Sequence, residues 1–280
     1  MISQGATPVT LAEFDLQGGS GGKQVFYDIS LVDGYNIPLG LIFIPGNDPR
    51  LQEIPPNLTN AACIATAGWL APSAPSGTNG NSTNATYPLP WETKENNQIV
   101  ADWCPWNLQV KQPTKPGSGV YPYPDDNIQR PTFDPCLSAC SKTNSPRDCC
   151  TGSYNNRAKC TPPLYAAQAK TVCPDAYSYA FDDQTSTFII PTGGGWEVQF
   201  CPPGRSTNIL GTFKSQMQAL SSAEYVSKAV LDDCSNITII NEAAKSSGDR
   251  NRGELGGSLG VGGTTSMGAL VVVIAWAVMW

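Results

Sequence analysis

The chain has 280 residues, with 17 Lys and Arg against 23 Asp and Glu, no histidine and a formal net charge of −6. The absence of histidine excludes Ser-His-Asp and Cys-His nucleophiles and histidine-ligated metal sites, and an acidic chain without a basic stripe does not suit nucleic acid. Glycine-rich phosphate-binding motifs are absent too, so we predict no cofactor and no metal, and carboxylates remain as the groups for chemistry.

The composition favours a mainly β fold. Charged residues make up 14% of the chain, which also contains 27 Gly and 24 Pro. This profile is typical of a secreted, turn-rich β protein, and an apolar content of 40% is enough for a core. Residues 1–10 contain no positive charge and no apolar run, and therefore no secretory signal peptide. Because the cysteines and sequons described below require the secretory route, we expect the true N-terminus to be missing.

The first predicted strands lie in residues 11–45. Val25, Tyr27, Ile29 and Leu31 alternate with their neighbours and so share one face of a strand. A turn at residues 33–34 leads into a second strand-like run that contains a proline at position 38. Proline cannot donate to a strand ladder, so this run is predicted to be an edge strand or to carry a bulge.

Residues 46–170 are predicted to be mostly loop, with short helices at 61–66 and 163–169. Four Asn-x-Ser/Thr sequons mark candidate glycosylation sites at Asn57, Asn81, Asn84 and Asn236. Two of the four lie in a Ser/Thr/Asn/Gly-rich stretch, 74–87, which is typical of an exposed loop.

The strand pattern resumes at residue 177. Phe188 and Ile190 precede three glycines, after which Trp196, Val198 and Phe200 alternate with polar residues. This pattern predicts a hairpin. Residues 211–232 carry apolar side chains at helical spacing and are predicted to form one helix that uses this stripe for packing.

Ten cysteines indicate an oxidising compartment. Those of the second half cluster in a loop-rich stretch, and Cys149 and Cys150 are adjacent, so they should connect to two different loops. Such spacing is typical of a disulfide framework. Zinc is the alternative, but the chain has no Cys-x2-Cys and no histidine to support it.

The C-terminus resembles a glycolipid-anchor signal. Residues 267–280 form a terminal run of 14 uncharged residues, short of the ~20 that comfortably cross a bilayer. A polar Gly/Ser-rich spacer precedes this run, and Gly256 or Ser246 is the predicted attachment site. The alternatives are a marginal transmembrane tail or a disordered apolar end.

Several motifs in order resemble the thaumatin-like (osmotin, pathogenesis-related class 5) family, over about residues 8–202. These motifs are Thr10-Leu-Ala-Glu-Phe14, Tyr27-Asp-Ile-Ser-Leu-Val-Asp-Gly-Tyr-Asn-Ile-Pro38, Cys104-Pro, Cys136-x3-Cys140, Cys149-Cys150, Cys173-Pro-Asp-Ala-Tyr-Ser-Tyr179 and Phe200-Cys-Pro202. The low-complexity insertion and the tail look like the fungal branch of the family.

The resemblance implies a thaumatin-like β-sandwich that lacks the family's first strands, with an inserted disulfide-rich domain and a C-terminal helix plus apolar tail. The implied divisions are 1–62 with 177–205 for the sandwich, 63–176 for the disulfide-rich domain, 206–245 for a helical extension and 246–280 for the linker and anchor signal. The implied disulfides are Cys63–Cys173, Cys104–Cys136, Cys140–Cys149 and Cys150–Cys160. Cys201 and Cys234 are left over, free or paired with each other if the 211–232 helix folds back on the sandwich.

The resemblance also implies an acidic cleft. By motif it comprises Glu13, Asp28, Asp33 and Asp182, with Asp183 as the neighbouring alternative that would help to bind substrate. Glycoside hydrolysis needs two carboxyl groups, so Glu13 would be the acid and Asp28 or Asp33 its partner. The alternative is that Asp28 and Asp33 are strand-end and turn residues that bond their own backbone.

Three hypotheses follow for function. The first is a secreted, cell-surface monomer, held at the membrane by its lipid anchor or apolar tail, that binds cell-wall β-1,3-glucan through the acidic cleft with weak endo-β-1,3-glucanase activity. The second is a non-enzymatic antifungal protein that acts on membranes or on a protein partner. The third is an inactive fragment.

Overall fold

The computed structural model describes residues 6–69, 94–111, 135–202 and 204–222. Within these ranges, six strands form two three-stranded antiparallel sheets. The strands are β1 (Leu11–Gly18), β2 (Gln24–Ser30), β3 (Leu39–Ile44), β4 (Ala62–Cys63), β5 (Phe188–Pro191) and β6 (Gly195–Phe200). The predicted mainly β class is confirmed.

The first sheet has the strand order β1-β2-β5. The alternation predicted for its central strand is confirmed, because Val25, Tyr27 and Ile29 are almost fully buried. Successive side chains of a strand point to opposite faces. The other face of this sheet therefore carries Asp28 and, on the neighbouring strand, Glu13.

The second sheet has the order β4-β3-β6 and packs on the first through aromatic rings. The Trp196 ring lies 5.4 Å from the ring of Phe14, 5.4 Å from that of Tyr27 and 5.4 Å from that of Phe43. These contacts join strands from both sheets, so the core of the sandwich lies between them. Aromatic pairs at such separations add stabilisation beyond the area they bury.

Three local predictions were wrong. The strand after Pro38 is the central strand of its sheet, and the proline lies just before it, where no ladder N–H is needed. The helix predicted at 61–66 is replaced by β4, which pairs with β3. The predicted hairpin is absent, because β5 and β6 belong to different sheets.

A glycine turn explains the missing hairpin. Gly193 and Gly194 have φ values of 123° and 70°, which carry the chain from one sheet to the other. A Cβ on Gly194 would lie 2.6 Å from the carbonyl oxygen of Ile44 and 2.7 Å from the ring of Phe43. The glycines thus permit a close passage between sheets rather than a tight turn within one sheet.

Short helices and disulfides make up most of the remainder. The α-helices are α1 (Pro49–Gln52), α2 (Pro56–Thr59), α3 (Lys94–Asp102), α4 (Ala139–Thr143), α5 (Leu164–Val172), α6 (Asp183–Ser186), α7 (Ile209–Thr212) and α8 (Lys214–Ser222), and single 3-10 turns occur at Ser20–Gly22, Trp106–Leu108 and Gly152–Tyr154. The structure contains the four implied disulfides, Cys63–Cys173, Cys104–Cys136, Cys140–Cys149 and Cys150–Cys160. None of the helices within the described ranges is long and apolar enough to cross a membrane.

The C-terminal helices are tied to the segment that follows Cys173 by a buried carboxylate. Asp175 accepts hydrogen bonds from the backbone N–H of Ile209 (2.7 Å) and of Leu210 (2.9 Å). The predicted helix 211–232 is interrupted near its start, because Phe213 leaves helical geometry between α7 and α8. Met217 and Leu220 of the predicted stripe are buried, and residues 223–232 lie outside the described residues.

Candidate active site: a carboxyl pair on the outer face of the first sheet

Glu13 and Asp28 form a cross-strand pair. They are direct register partners on β1 and β2, and their side chains share the sheet face opposite the core. Residues directly opposite in an antiparallel pair have Cβ atoms about 4.5–5.5 Å apart. Both residues are half-buried, and their carboxyl groups are within hydrogen-bond reach of each other.

Burial and mutual repulsion favour the protonated form of this pair. Burial raises the pKa of Asp28 well above its ordinary value, and the nearby Glu13 raises it further. Burial also raises the pKa of Glu13, although hydrogen bonds from Ser30 and Asp28 oppose this shift. Asp28 Oδ1 is buried and no N–H or hydroxyl donor reaches it. A proton on Asp28 that is donated to Glu13 accounts for all of these observations, with the two groups titrating as one coupled pair.

A polar rim borders the pair on the side of β5. Tyr177 is held beside the end of β2, because its N–H donates to the carbonyl of Ile29 (2.8 Å). Its hydroxyl donates a hydrogen bond to Asp183 (3.1 Å) and accepts one from the hydroxyl of Thr187. Burial raises the pKa of the Tyr177 hydroxyl, and the nearby carboxylates raise it further, so this hydroxyl stays protonated as a donor.

Asp183 joins this rim to the disulfide-rich segment. Its carboxylate forms an ion pair with Arg157, and both side chains are about half exposed. The charge of Asp183 also contributes to the raised pKa of Asp28, which places Asp183 in electrostatic contact with the carboxyl pair. The motifs of the sequence indicated Asp183 only as the alternative to Asp182, and they did not indicate Arg157 or Tyr177 as site residues. Tyr177 lies within the Cys173–Tyr179 motif, whereas Arg157 carries no sequence signal, because only the fold brings it to this face.

Asp33 approaches the pair from the turn after β2. It is half-buried, and its charge contributes to the raised pKa of Glu13. Its backbone carbonyl accepts hydrogen bonds from Ser141 Oγ (3.1 Å) and from the N–H of Val9 (3.3 Å), which fixes the turn. Asp33 is therefore positioned near Glu13 by contacts of its backbone.

Asp182 has a structural environment instead. Its side chain is buried, lies 3.0 Å from Lys170 Nζ, and accepts hydrogen bonds from the N–H (3.0 Å) and hydroxyl (2.8 Å) of Ser178. Thr185 Oγ1 donates to the other carboxylate oxygen (2.6 Å). With its oxygens occupied in this way, Asp182 fixes the turn before α6 rather than contributing to the carboxyl pair.

Of the remaining predicted positions, Asn57 lies within the described residues and the others lie outside them. Asn57 lies in α2 with 4% exposure, and its amide atoms are buried without a hydrogen-bond partner. A glycan on this amide would have to leave the folded interior, so the burial argues against Asn57 as a glycosylation site. The sequons at Asn81, Asn84 and Asn236, the leftover Cys234, and the predicted anchor sites Ser246 and Gly256 lie outside the described residues.

The comparisons with known proteins agree with this architecture. The Thaumatin family matches residues 2–202. The chain is 33% identical over 198 residues to pathogenesis-related protein 5 of Arabidopsis thaliana, covering 71% of this chain and 57% of the relative. It is 33% identical over 195 residues to a glucan endo-1,3-beta-glucosidase of Prunus avium, covering 70% of this chain and 56% of the relative.

A further relative carries the same kind of domain within a longer protein. A PR5-like receptor kinase of Arabidopsis thaliana is 31% identical over 209 residues, which cover 72% of this chain and 23% of the relative. The chain thus spans a little over half the length of the first two relatives and a smaller part of the third. The family match, the two sheets and the four disulfides together show that this chain belongs to the Thaumatin family.

Proposed function

We propose that this thaumatin-like chain binds β-1,3-glucan across the outer face of its first sheet and hydrolyses it slowly as an endo-β-1,3-glucanase. The observation that carries the proposal is the cross-strand carboxyl pair of Glu13 and Asp28, bordered by Tyr177 and the ion pair of Asp183 with Arg157. The similarity to a relative named as a glucan endo-1,3-beta-glucosidase supports the choice of substrate.

The pair would supply the acid of the reaction. A glycosidic oxygen leaves as an alcohol only if it receives a proton, and a carboxyl group with a raised pKa keeps one at a pH where ordinary carboxyls have lost theirs. Glu13 and Asp28 share this proton, so either residue is needed for its delivery. Asp28 would therefore lie on the same side of the scissile bond as Glu13, and would not be the second carboxylate on the other side.

The second carboxylate of the reaction would be Asp33. The two carboxyl groups of a glycosidase act from either side of the scissile bond, about 5–5.5 Å apart in retaining enzymes and about 6.5–9.5 Å apart in inverting ones. Glu13 and Asp28 are within hydrogen-bond reach, which leaves no room for a sugar between them. Asp33 influences Glu13 through its charge without a hydrogen bond to it, as a partner across a bound sugar should.

Two assays test the proposal in sequence. The protein should co-sediment with insoluble β-1,3-glucan and should release reducing sugar from laminarin. Glu13→Gln should abolish sugar release and retain glucan binding, because it removes one of the two carboxyl groups that share the proton but keeps the shape. Asp15→Asn is the matched control, since Asp15 lies on the same strand and face but is exposed, and it should leave both readings unchanged. Failure of the unaltered protein to bind glucan would overturn the proposal.

The second candidate is a non-enzymatic defence protein. The similarity to pathogenesis-related protein 5 of Arabidopsis thaliana favours it. In that case the protein would inhibit fungal growth, and Glu13→Gln would inhibit it equally well. Growth inhibition that persists in this variant, without sugar release from the unaltered protein, separates the second candidate from the first.

We place the mature protein at the cell surface, as a monomer held there by a lipid on Gly256 or Ser246. The support is the sequence layout of small residues, polar spacer and terminal apolar run. Treatment of membranes with phosphatidylinositol-specific phospholipase should release the protein. A mature chain that retains Trp276 would contradict the anchor.

A further inference from the structure

Three polar side chains form a row across the outer face of the first sheet. Glu13 on β1 lies opposite Asp28 on β2, and the register between β2 and β5 pairs Tyr27 with Phe188. Continued by one residue, this antiparallel register places Thr187 opposite Asp28, and the backbone of Thr187 is extended, with φ −94° and ψ 121°. Side chains that lie directly opposite have Cβ atoms about 4.5–5.5 Å apart, so Thr187 is the neighbour of Asp28 on the side away from Glu13.

The hydroxyl of Thr187 bonds to Tyr177 and not to Asp28. The hydroxyl oxygens of Thr187 and Tyr177 lie 2.5 Å apart, and the Tyr177 hydroxyl also donates to Asp183 (3.1 Å). Asp183 forms an ion pair with Arg157 and is therefore an ionised carboxylate, which accepts hydrogen bonds and donates none. Because a tyrosine hydroxyl has one proton and Asp183 receives it, Tyr177 must accept the proton of Thr187.

The direction of this hydrogen-bond chain leaves Asp28 without a hydroxyl donor. A threonine hydroxyl also has a single proton, and that of Thr187 goes to Tyr177. Among the described residues no donor reaches Asp28 Oδ1, although this atom is buried. An ionised carboxylate without donors is costly to bury, whereas a neutral carboxyl group that donates its own proton to Glu13 costs less.

Backbone hydrogen bonds hold the two hydroxyl-bearing residues in place. The N–H of Tyr177 donates to the carbonyl of Ile29, and its carbonyl accepts from the N–H of Leu31, each at 2.8 Å. The N–H of Thr187 donates to the carbonyl of Asp183 (3.2 Å). Both residues are therefore fixed relative to β2, and the direction in which each hydroxyl proton points decides which group Thr187 serves.

We propose that Tyr177 is a positioning residue for the carboxyl pair of Glu13 and Asp28. By taking up the hydroxyl proton of Thr187, it keeps Asp28 without a hydroxyl donor. Asp28 then retains its own proton, which the pair shares. The retention of this proton follows from the hydrogen-bond chain, whereas its use in glucan hydrolysis rests on the proposed function.

The charged groups around the pair are separate from this chain of hydroxyl protons. Asp183 acts on Asp28 from the start of α6 and is itself paired with Arg157, and Asp33 acts on Glu13 from the turn after β2. Removal of a neutral hydroxyl leaves all of these charges as they are. A change in the titration of the pair after such a removal therefore reports on the hydrogen bonds and not on a lost charge.

NMR of the carboxyl carbons during a pH titration of the full-length protein tests the proposal without glucan. Tyr177→Phe frees the Thr187 hydroxyl to donate to Asp28, so the titration midpoint of the pair should fall by about one pH unit, the usual effect of one such bond to a carboxylate. Thr187→Val is the matched control and should change the midpoint little, because the hydroxyl it removes is already engaged by Tyr177. The double variant should titrate like the unaltered protein, because no hydroxyl remains to donate. An unchanged midpoint in Tyr177→Phe, or a fall that persists in the double variant, would overturn the proposal.

The pH profile of laminarin hydrolysis separates this inference from the proposed function. Its alkaline limb should move to lower pH in Tyr177→Phe and return in the double variant with Thr187→Val. A midpoint that falls in the NMR titration of Tyr177→Phe and returns in the double variant, while none of the proteins releases sugar, would support the hydrogen-bond chain and count against the glucanase. Sugar release from the unaltered protein with the same midpoint in all variants would support the glucanase and overturn the role of Tyr177.

Discussion

Glu13 and Asp28 lie directly opposite each other on β1 and β2, within hydrogen-bond reach on a partly buried face of the sheet. Ionisation of two carboxyl groups this close is costly, so the fold favours a proton shared between them. The register of β1 and β2 determines whether the pair forms. Only the register that buries Tyr27 on one face of the sheet brings these two carboxyl groups together on the other face.

We expect Asp28→Asn to stabilise the protein at neutral pH. The folded-state pKa of Asp28 is raised, so the folded protein binds more protons than the unfolded chain, and its stability falls as pH rises from the unfolded value of 3.8 through the folded pKa. Asparagine removes this cost of ionisation. Thermal unfolding at pH 7 should show a higher Tm for the variant, where about 1 kcal/mol corresponds to roughly 2–4 °C in a domain of this size.

The pH dependence supplies the control for this prediction. Below the unfolded pKa both Asp28 and its asparagine replacement are neutral, so the difference in Tm should vanish near pH 3. A variant that is less stable than the unaltered protein at pH 7 would show that Asp28 is held as an ionised, stabilising carboxylate.

Loss of the Glu13 carboxyl group should abolish sugar release. Glu13→Gln should lower the rate with laminarin by about 10²–10⁴-fold, the usual contribution of a general acid. In the unaltered protein the rate should fall on the alkaline side as the carboxyl pair loses its proton. An activity that rises steadily with pH would contradict a role for the pair as the acid.

Asp182 and Asp183 should behave differently although they are neighbours. Asp182→Ala removes a buried carboxylate that pairs with Lys170 and accepts hydrogen bonds from Ser178 and Thr185, and should cost about 3–5 kcal/mol in the free energy of unfolding. Asp183→Ala breaks a half-exposed ion pair and should cost less than about 1 kcal/mol. Chemical denaturation of the two variants measures both effects, and equal losses would refute the distinction between a structural and a surface carboxylate.

Among the disulfides, the bridge between Cys63 and Cys173 should matter most. It spans 110 residues, whereas Cys140–Cys149 spans 9. Loop-closure entropy assigns about 4.7 kcal/mol to a loop of a hundred residues and less than about 3 kcal/mol to the short one. Replacement of each pair by alanine, followed by denaturant unfolding, should show the larger loss for Cys63 and Cys173. The opposite order would show that strain or unfolded-state structure outweighs loop length.

The glycine crossover between the sheets can be tested against a second glycine. Gly194→Ala should destabilise more than Gly46→Ala, although both residues have positive φ values of 70° and 63°. Alanine at either site costs about 1–2 kcal/mol for its left-handed backbone. At position 194 its Cβ also meets the Ile44 carbonyl and the Phe43 ring, which adds about 1–3 kcal/mol of overpacking, whereas position 46 is open. Similar losses in free energy of unfolding would contradict the close passage.

The sequence by itself determined the β class, the central strand β2 and the family. Alternation of apolar and polar residues is a local property, so Val25, Tyr27 and Ile29 could be assigned to one buried face without knowledge of their partners. The cysteine spacings and the short motifs of the thaumatin-like family are also local, and they were sufficient to name the family and to imply four bridges.

Tertiary structure decided which strands pair and which carboxylates meet. Alternation in β5 and β6 is the same whether they form a hairpin or lie in separate sheets, and only the clearance at Gly194 separates the two cases. Likewise, the sequence cannot distinguish Asp182 from Asp183. The turn before α6 directs Asp182 toward Lys170 and Asp183 toward Arg157. Contacts between distant segments, and not local preference, determine which positive charge each carboxylate meets.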